Sequence, residues 1–212
     1  MSDKLKKCKT PKGELRWVTH HGEGKEDLSG RMQYVASILL DDRVEAHKAF
    51  MDSIDAYFHE NKPKHIDTAK STGIYPLFTK DDDGNKVRVE HMFYATFKTN
   101  TKFADGSPKK VKIYNAKAVE VDLGSQSIGN GSVGRISGAM DMYDVKSPKG
   151  QIMQAGVTLY LDGIMLTKFE AWTGSDAFDD DDVDDDADGW TGADEESGFE
   201  PEPTEAKAKP RI

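Results

Sequence analysis

The sequence predicts a mainly β body of about five or six antiparallel strands, closed or partly closed into a small barrel, with one amphipathic helix and a disordered acidic C-terminal tail. Three observations predict it: apolar residues recur every second position through most of the body, one segment switches to a helical period, and the composition changes abruptly after Trp172. No internal repeat interrupts this plan.

Taken in order, Arg31 to Leu40 places Met32, Tyr34, Ala36, Ile38 and Leu40 on one face. Val87 to Lys98 places Val89, Phe93, Ala95 and Phe97 together, and Val111 to Val121, Arg135 to Tyr143 and Gly156 to Phe169 continue in β-branched and aromatic residues. Turn chemistry stands at Asp83-Gly84-Asn85, Asp105-Gly106-Ser107-Pro108 and Ser147-Pro148-Lys149-Gly150. There Gly supplies positive φ and Pro presets a bend, so antiparallel hairpins are expected. Between Arg43 and Glu60 the spacing changes: His47, Phe50, Met51, Ile54, Tyr57 and Phe58 recur every three or four residues, predicting a helix of about five turns. Asp41 or Asp42 is placed to cap it and Pro63 to stop it. Gly134, Gly138, Gly156 and Gly163 suit the corners of strongly curved strands, which favours a barrel over a sandwich.

The 212 residues carry a net charge of -9, but the charge is unevenly placed. Residues 1 to 172 hold 26 Lys and Arg against 23 Asp and Glu, while residues 173 to 212 hold 3 against 15. The body is therefore slightly basic at +3 and the tail strongly acidic at -12. Like charges at that density, with little apolar surface to offset chain ordering, predict disorder over 173 to 212. A basic N-terminal arm over 1 to 13 and a folded domain over 14 to 172 complete the organisation. The single cysteine allows no internal disulfide, which points to a reducing compartment. No stretch approaches the roughly 20 apolar residues that span a bilayer, and no signal peptide precedes the body, so a soluble protein without membrane partners is expected.

The strand faces opposite the apolar ones suggest chemistry. One presents Arg88, Tyr94 and Lys98; the next presents Lys110, Lys112 and Tyr114, with Lys102 and Lys109 in or beside the intervening turn, and Tyr143 follows on a later strand. Ammonium and guanidinium groups can track phosphates while flat side chains stack on unpaired bases, the mixture a single-stranded nucleic-acid site needs. The plainer reading of the same faces is a solvated strand surface. A flexible acidic segment with embedded aromatics could compete with a polyanion for the basic face, or be read by basic partner proteins.

The search for an enzyme is thin. Gly129-Asn130-Gly131-Ser132-Val133-Gly134 leads into a strand pattern and offers no helix N-terminus to a pyrophosphate, so it reads as a flexible strand connection. His20, His21, His47, His59, His65 and His91 lack metal spacing, and Cys8 has no base beside it. His47 is best placed in the buried stripe of the helix. Asp184 to Glu195 formally matches a calcium loop, yet its flanks are not amphipathic helices, so no metal site is expected. No cofactor and no catalytic residue is assigned.

The order of features resembles the single-stranded-DNA-binding proteins of tailed bacteriophages, those of the short-tailed phages in particular. The matching parts are Tyr34 to Leu40 running into the helix, Phe93-Tyr94-Ala95-Thr96-Phe97-Lys98, the connection Gly129 to Gly134, and Val157 to Leu166 before the acidic tail. The resemblance implies an OB-fold barrel over 14 to 172 that binds unpaired DNA in phage replication, recombination and repair, within the cytoplasm of the bacterial host. It also implies a tail that contacts phage or host replication proteins; a homodimer is compatible with it. Tails in that family commonly end in acidic residues and a terminal Phe, whereas this chain ends Ala206-Lys207-Ala208-Lys209-Pro210-Arg211-Ile212. Docking would then use Phe178 with Asp179, Asp180, Asp181 and Asp182, or Trp190, or Phe199. The rival expectation is an acidic-tail DNA mimic that occupies a host protein's DNA site.

Overall fold

The computed structural model describes residues 5–27 and 29–172. Its elements are β1 (Lys6–Lys9), β2 (Gly13–Thr19), β3 (Lys25–Glu26), β4 (Met32–Asp41), α1 (Glu45–Asn61), β5 (Ile74–Lys80), β6 (Lys86–Asn100), β7 (Lys112–Tyr114), β8 (Val133–Lys146) and β9 (Ile152–Lys168). The chain divides after Thr173, and the tail residues named above lie outside the described residues.

Five strands close on themselves. β2 pairs with β4, β4 with β6, β6 with β9, β9 with β8, and β8 returns to β2, which is the cycle of an OB-fold barrel. The closing contact between β6 and β9, Lys98 opposite Tyr160, is parallel, as is the β7 to β9 pairing, so the expectation of antiparallel neighbours throughout is corrected at these two seams. Closure follows from patterning. Tyr34, Ala36, Ile38 and Leu40 of β4 and Ala95 and Phe97 of β6 point into the same core as Ile136, Leu159, Leu161 and Ile164. Each large aliphatic or aromatic side chain removed from water there contributes roughly 1.5–3 kcal/mol. Two of the three register shifts of the β8–β9 ladder fall next to Gly134 and at Gly138, the third lying between Val145 and Lys146, and a Cβ on Gly138 would collide with the Tyr160 carbonyl oxygen and meet the Phe97 ring at 2.9 Å. Glycine is required where β8 coils tightly over β9.

The helix buries Phe50, Ile54 and Phe58, spaced four apart on one face, against the barrel, with the Phe50 ring stacked 6.5 Å from that of Phe97. Neither Asp41 nor Asp42 caps it. Val44 occupies that position, because the Asp41 carboxylate accepts from Arg43 and Asp42 lies 2.8 Å from the His91 ring. The helix stops ahead of Pro63, where the Lys62 N–H still donates to the Phe58 carbonyl. His47 is half-buried at the edge of the stripe. Its Nδ1 accepts from the Asp41 N–H and its Nε2 donates to the Lys12 carbonyl, tying the helix start to the end of β4 and the β1–β2 turn.

Three further differences have local causes. Val111 to Val121 is a strand only over β7, since Asn115 to Val119 fold back in a turn held by the Asn115 side chain. The turn at Asp105 does not join two paired strands, because β7 leaves β6 to pair with β9. Lys6 to Lys9 of the basic N-terminal arm is a strand, laid antiparallel along β8.

Candidate nucleic-acid interface

The outer face of β4 and β6 is where the site is built. Between the two strands, Gln33 Nε2 donates to Asn100 Oδ1 (3.1 Å) and the Ser37 and Thr96 hydroxyls share a hydrogen bond (2.9 Å). These short polar pairs leave room above them. The space is a groove of about 710 Å³ whose walls include Arg31, Lys70, Tyr75, Lys98, Lys109, Tyr143 and Tyr160. Four cations and three phenol rings thus border one concavity.

Register explains how they meet. Tyr75 of β5 stands opposite Tyr94 of β6, their rings 5.4 Å apart, and Lys98 stands opposite Tyr160 across the parallel seam. Tyr143 reaches the groove because its partner across the β8–β9 ladder is Gly156, where a Cβ would sit 2.6 Å from the phenol ring. Partial burial raises the pKa of Tyr94 and of Tyr143, with Tyr75 adding to both, so the rings stay neutral and uncharged toward phosphate. The Tyr75 hydroxyl shares a 3.0 Å hydrogen bond with Ser71. Lys109 is held by donation to the Thr99 hydroxyl (2.7 Å) and lies over the Phe103 ring (5.2 Å), so its ammonium is positioned in advance.

The aromatic row continues beyond the groove. Trp17 meets Tyr94 edge-on at 5.0 Å, brought there by a bulge in β2 where the register against β4 shifts between Arg16 and Thr19. A polar floor, flanking cations and the adjoining rings of Trp17, Tyr94 and Tyr75 can hold the phosphates of a flexible polyanion while its bases lie flat.

Over 86% of this chain and 97% of the other, the single-stranded DNA binding protein gp2.5 encoded by bacteriophage T7 superposes with a TM-score of 0.55 at 15% identity. A C-terminal truncation of the single-stranded DNA-binding protein from bacteriophage Enc34 superposes over 80% of this chain and 98% of the other, with a TM-score of 0.50 at 12% identity. The fold is theirs. At these identities the likeness is one of architecture, and it agrees with the OB-fold that the sequence motifs implied. No protein-family model and no curated protein matches the chain.

The OB-fold distributes the sequence-predicted residues unevenly. Tyr94, Lys98, Lys109 and Tyr143 come to the outer face. Lys110 and Lys112 line a neighbouring groove of about 610 Å³ that shares Lys109 as its rim, with Lys112 lying 3.6 Å from Glu120. Tyr114 faces a third concavity, beside Lys9 and Arg135. Arg88 is taken out of the Tyr94 register: at His91 the backbone turns to a φ of 62° and the β5–β6 register shifts, which brings the guanidinium over the ring of Phe93, 5.5 Å away. Lys102 stands in the loop beyond β6, bridged to Pro108.

Sequence reasoning missed Arg31, Lys70, Tyr75, Tyr160 and Trp17. Tyr160 and Arg31 were within runs already read as strand, and pairing Lys98 with Tyr160 needed the parallel seam. Tyr75 and Trp17 lie in short strands whose alternation is broken by Pro76 and by the bulge. The Gly129 to Gly134 connection is not slack. Gly129 N–H donates to the Glu170 carbonyl, Ser132 exchanges hydrogen bonds with Glu170, and Asn130 Oδ1 accepts from the Trp17 N–H (3.0 Å). Among the described residues no group of three or more His, Cys, Asp or Glu side chains could hold a metal ion, and no helix is long and apolar enough to cross a membrane. Burial pushes the Cys8 thiol up to about 11, which leaves it a poor nucleophile.

Proposed function

We propose that this protein is a non-enzymatic single-stranded-DNA-binding protein, working in phage DNA replication, recombination and repair inside the bacterial host cell. The observation that carries the reading is the groove on the outer face of β4 and β6, where Tyr75, Tyr143 and Tyr160 stand among Arg31, Lys70, Lys98 and Lys109. Stacking accepts any base and ammonium groups accept any phosphate, so such a surface binds unpaired strands without reading their sequence. The relatedness of the barrel to two phage proteins of that description supports the same reading.

In this reading Lys98 and Lys109 make the main phosphate contacts, and Tyr94 and Tyr143 stack on bases. Lys110, Lys112, Lys102 and Arg88 are secondary contacts for a strand that continues past the Lys109 rim or along the β5–β6 hairpin, and Tyr114 is a further stacking position. The acidic tail modulates access to the basic face and contacts replication proteins, with Phe178 and its Asp run, Trp190 and Phe199 as the docking positions. The test is an anisotropy titration of the full chain with a fluorescent oligothymidylate and with a duplex of equal length. Saturable binding that favours the single strand is expected; equal or absent binding of the single strand would remove the proposal.

A further inference from the structure

Trp17 and Trp172 stand in an unusual relation to the interface. Both indoles are about half exposed, at 49% and 54%, and both line one slot of about 380 Å³, together with His20, Lys25 and Asn130. That volume is within the range of small-ligand sites, about 300–1,000 Å³.

Each indole is fixed through its backbone. Trp17 has a φ of 52°, a backbone conformation that bulky side chains rarely adopt, and it is held there by its N–H donating to Asn130 Oδ1. Trp172 N–H donates to the Ser127 carbonyl (3.0 Å), just after the Ile128 to Ala171 bridge. Burial holds His20 neutral by lowering its pKa to about 4, leaving Lys25 as the cation of the slot wall. The chemistry is therefore suited to a flat, neutral group more than to a phosphate. The slot is also continuous with the outer face, since the same Trp17 ring touches Tyr94 at 5.0 Å.

We propose that Trp17 and Trp172 form a separate stacking site that takes an unpaired base of the strand as it leaves the Tyr75–Tyr94 face. This deepens the single-strand reading and rests on it. The strand would run from the Lys98 and Tyr160 groove over Tyr94 to Trp17, ending between the two indoles.

The chain has three tryptophans, so the full-length Trp17→Phe, Trp190→Phe protein carries Trp172 alone. Its emission is followed during titration with an oligothymidylate of about 20 nucleotides, in parallel with the anisotropy of the labelled strand. Quenching of Trp172 with the same midpoint as the anisotropy is expected. Trp172→Ala in the otherwise unchanged chain is expected to weaken binding by about 5-fold to 150-fold, the range for losing one stacked base, and Trp172→Phe to restore most of it. Strand binding by anisotropy with no change in Trp172 emission, and with Trp172→Ala equal to the unsubstituted protein, would overturn the slot while leaving the outer face intact. Absence of strand binding by the unsubstituted protein would overturn both.

Discussion

Tyr75 and Tyr94 face each other across the β5–β6 ladder with their rings 5.4 Å apart, and Trp17 closes on Tyr94 from the opposite side at 5.0 Å. The middle ring of three is the one whose loss disturbs both neighbours. Tyr94→Ala is expected to weaken single-strand binding by about 1–3 kcal/mol per stacked base with the salt slope nearly unchanged. Tyr75→Ala should lose a similar amount, and the double variant less than the sum, because the two rings share a contact. A double-mutant cycle by anisotropy reads this coupling. Strict additivity would show that the rings act separately.

Salt dependence separates the two basic grooves. Each phosphate contact on a single strand contributes about -0.7 to the log-log slope of affinity against salt. Replacing Lys98 and Lys109 together by Ala should make the slope shallower by about 1.4. The Lys110→Ala, Lys112→Ala pair should change it less, because Lys112 already lies beside Glu120. The reverse order would move the main phosphate track to the neighbouring groove.

Gly156 is expected to matter for both folding and binding. A methyl group there would sit 2.5 Å from the Ser71 carbonyl oxygen, which accepts the Val157 N–H, and 2.6 Å from the Tyr143 ring. Gly156→Ala should cost about 1–3 kcal/mol of stability, as overpacking does, and turn Tyr143 out of the groove. Denaturant unfolding and oligonucleotide titration of the same variant measure the two effects; an unchanged midpoint would mean that β9 yields there freely.

His20 is expected to make stability fall with acidification before the carboxylates do. Burial, reinforced by His21, lowers its folded pKa from 6.5 to about 4, and its Nδ1 is buried without a hydrogen-bond partner among the described residues. Between these values the unfolded chain binds the proton and the folded one does not, so stability is expected to drop as pH falls from about 6.5 to about 4, by up to about 3.4 kcal/mol. Asp27 and Asp41, whose carboxyls are held below the ordinary range by hydrogen bonds from Arg31 and Arg43, contribute only at lower pH. His20→Gln should flatten the slope between pH 6.5 and 4.5 in denaturant titrations. An identical slope would show that His20 protonates freely in the folded protein.

Much of the barrel was legible because β4, β8 and β9 alternate over long stretches and their glycines fall where curvature needs them. Tyr34 to Leu40 shows both faces of its strand directly. What sequence could not show was closure. The parallel meeting of Lys98 with Tyr160 joins residues 62 positions apart and leaves no local trace. The candidate interface suffered for the same reason. Tyr94 and Lys98 were readable from alternation, but the phase of Arg88 was inverted by the turn at His91, and Trp17 was hidden by a bulge that alternation cannot represent.

The tail supplies an electrostatic expectation. Residues 173 to 212 carry a net charge of -12 and are joined to a body of +3, so they are expected to compete with DNA phosphates for the basic face. Deleting them should tighten single-strand binding most at low salt, where the Debye length is about 30 Å at 0.01 M, and little near 1 M, where it is about 3 Å. Weaker binding on truncation, or a gain equal at all salt concentrations, would leave partner docking as the tail's role.

Unpaired DNA is expected to lie on the outer face of β4 and β6. Photocrosslinking of the full chain to an oligonucleotide bearing 5-iododeoxyuridine, followed by peptide mapping, locates the bound strand. Crosslinks at Tyr75, Tyr94, Tyr143 or Tyr160, lost when unlabelled single strand competes, are the predicted result. Crosslinks confined to α1 or to the concavity beside Tyr114, with none on that face, would contradict it.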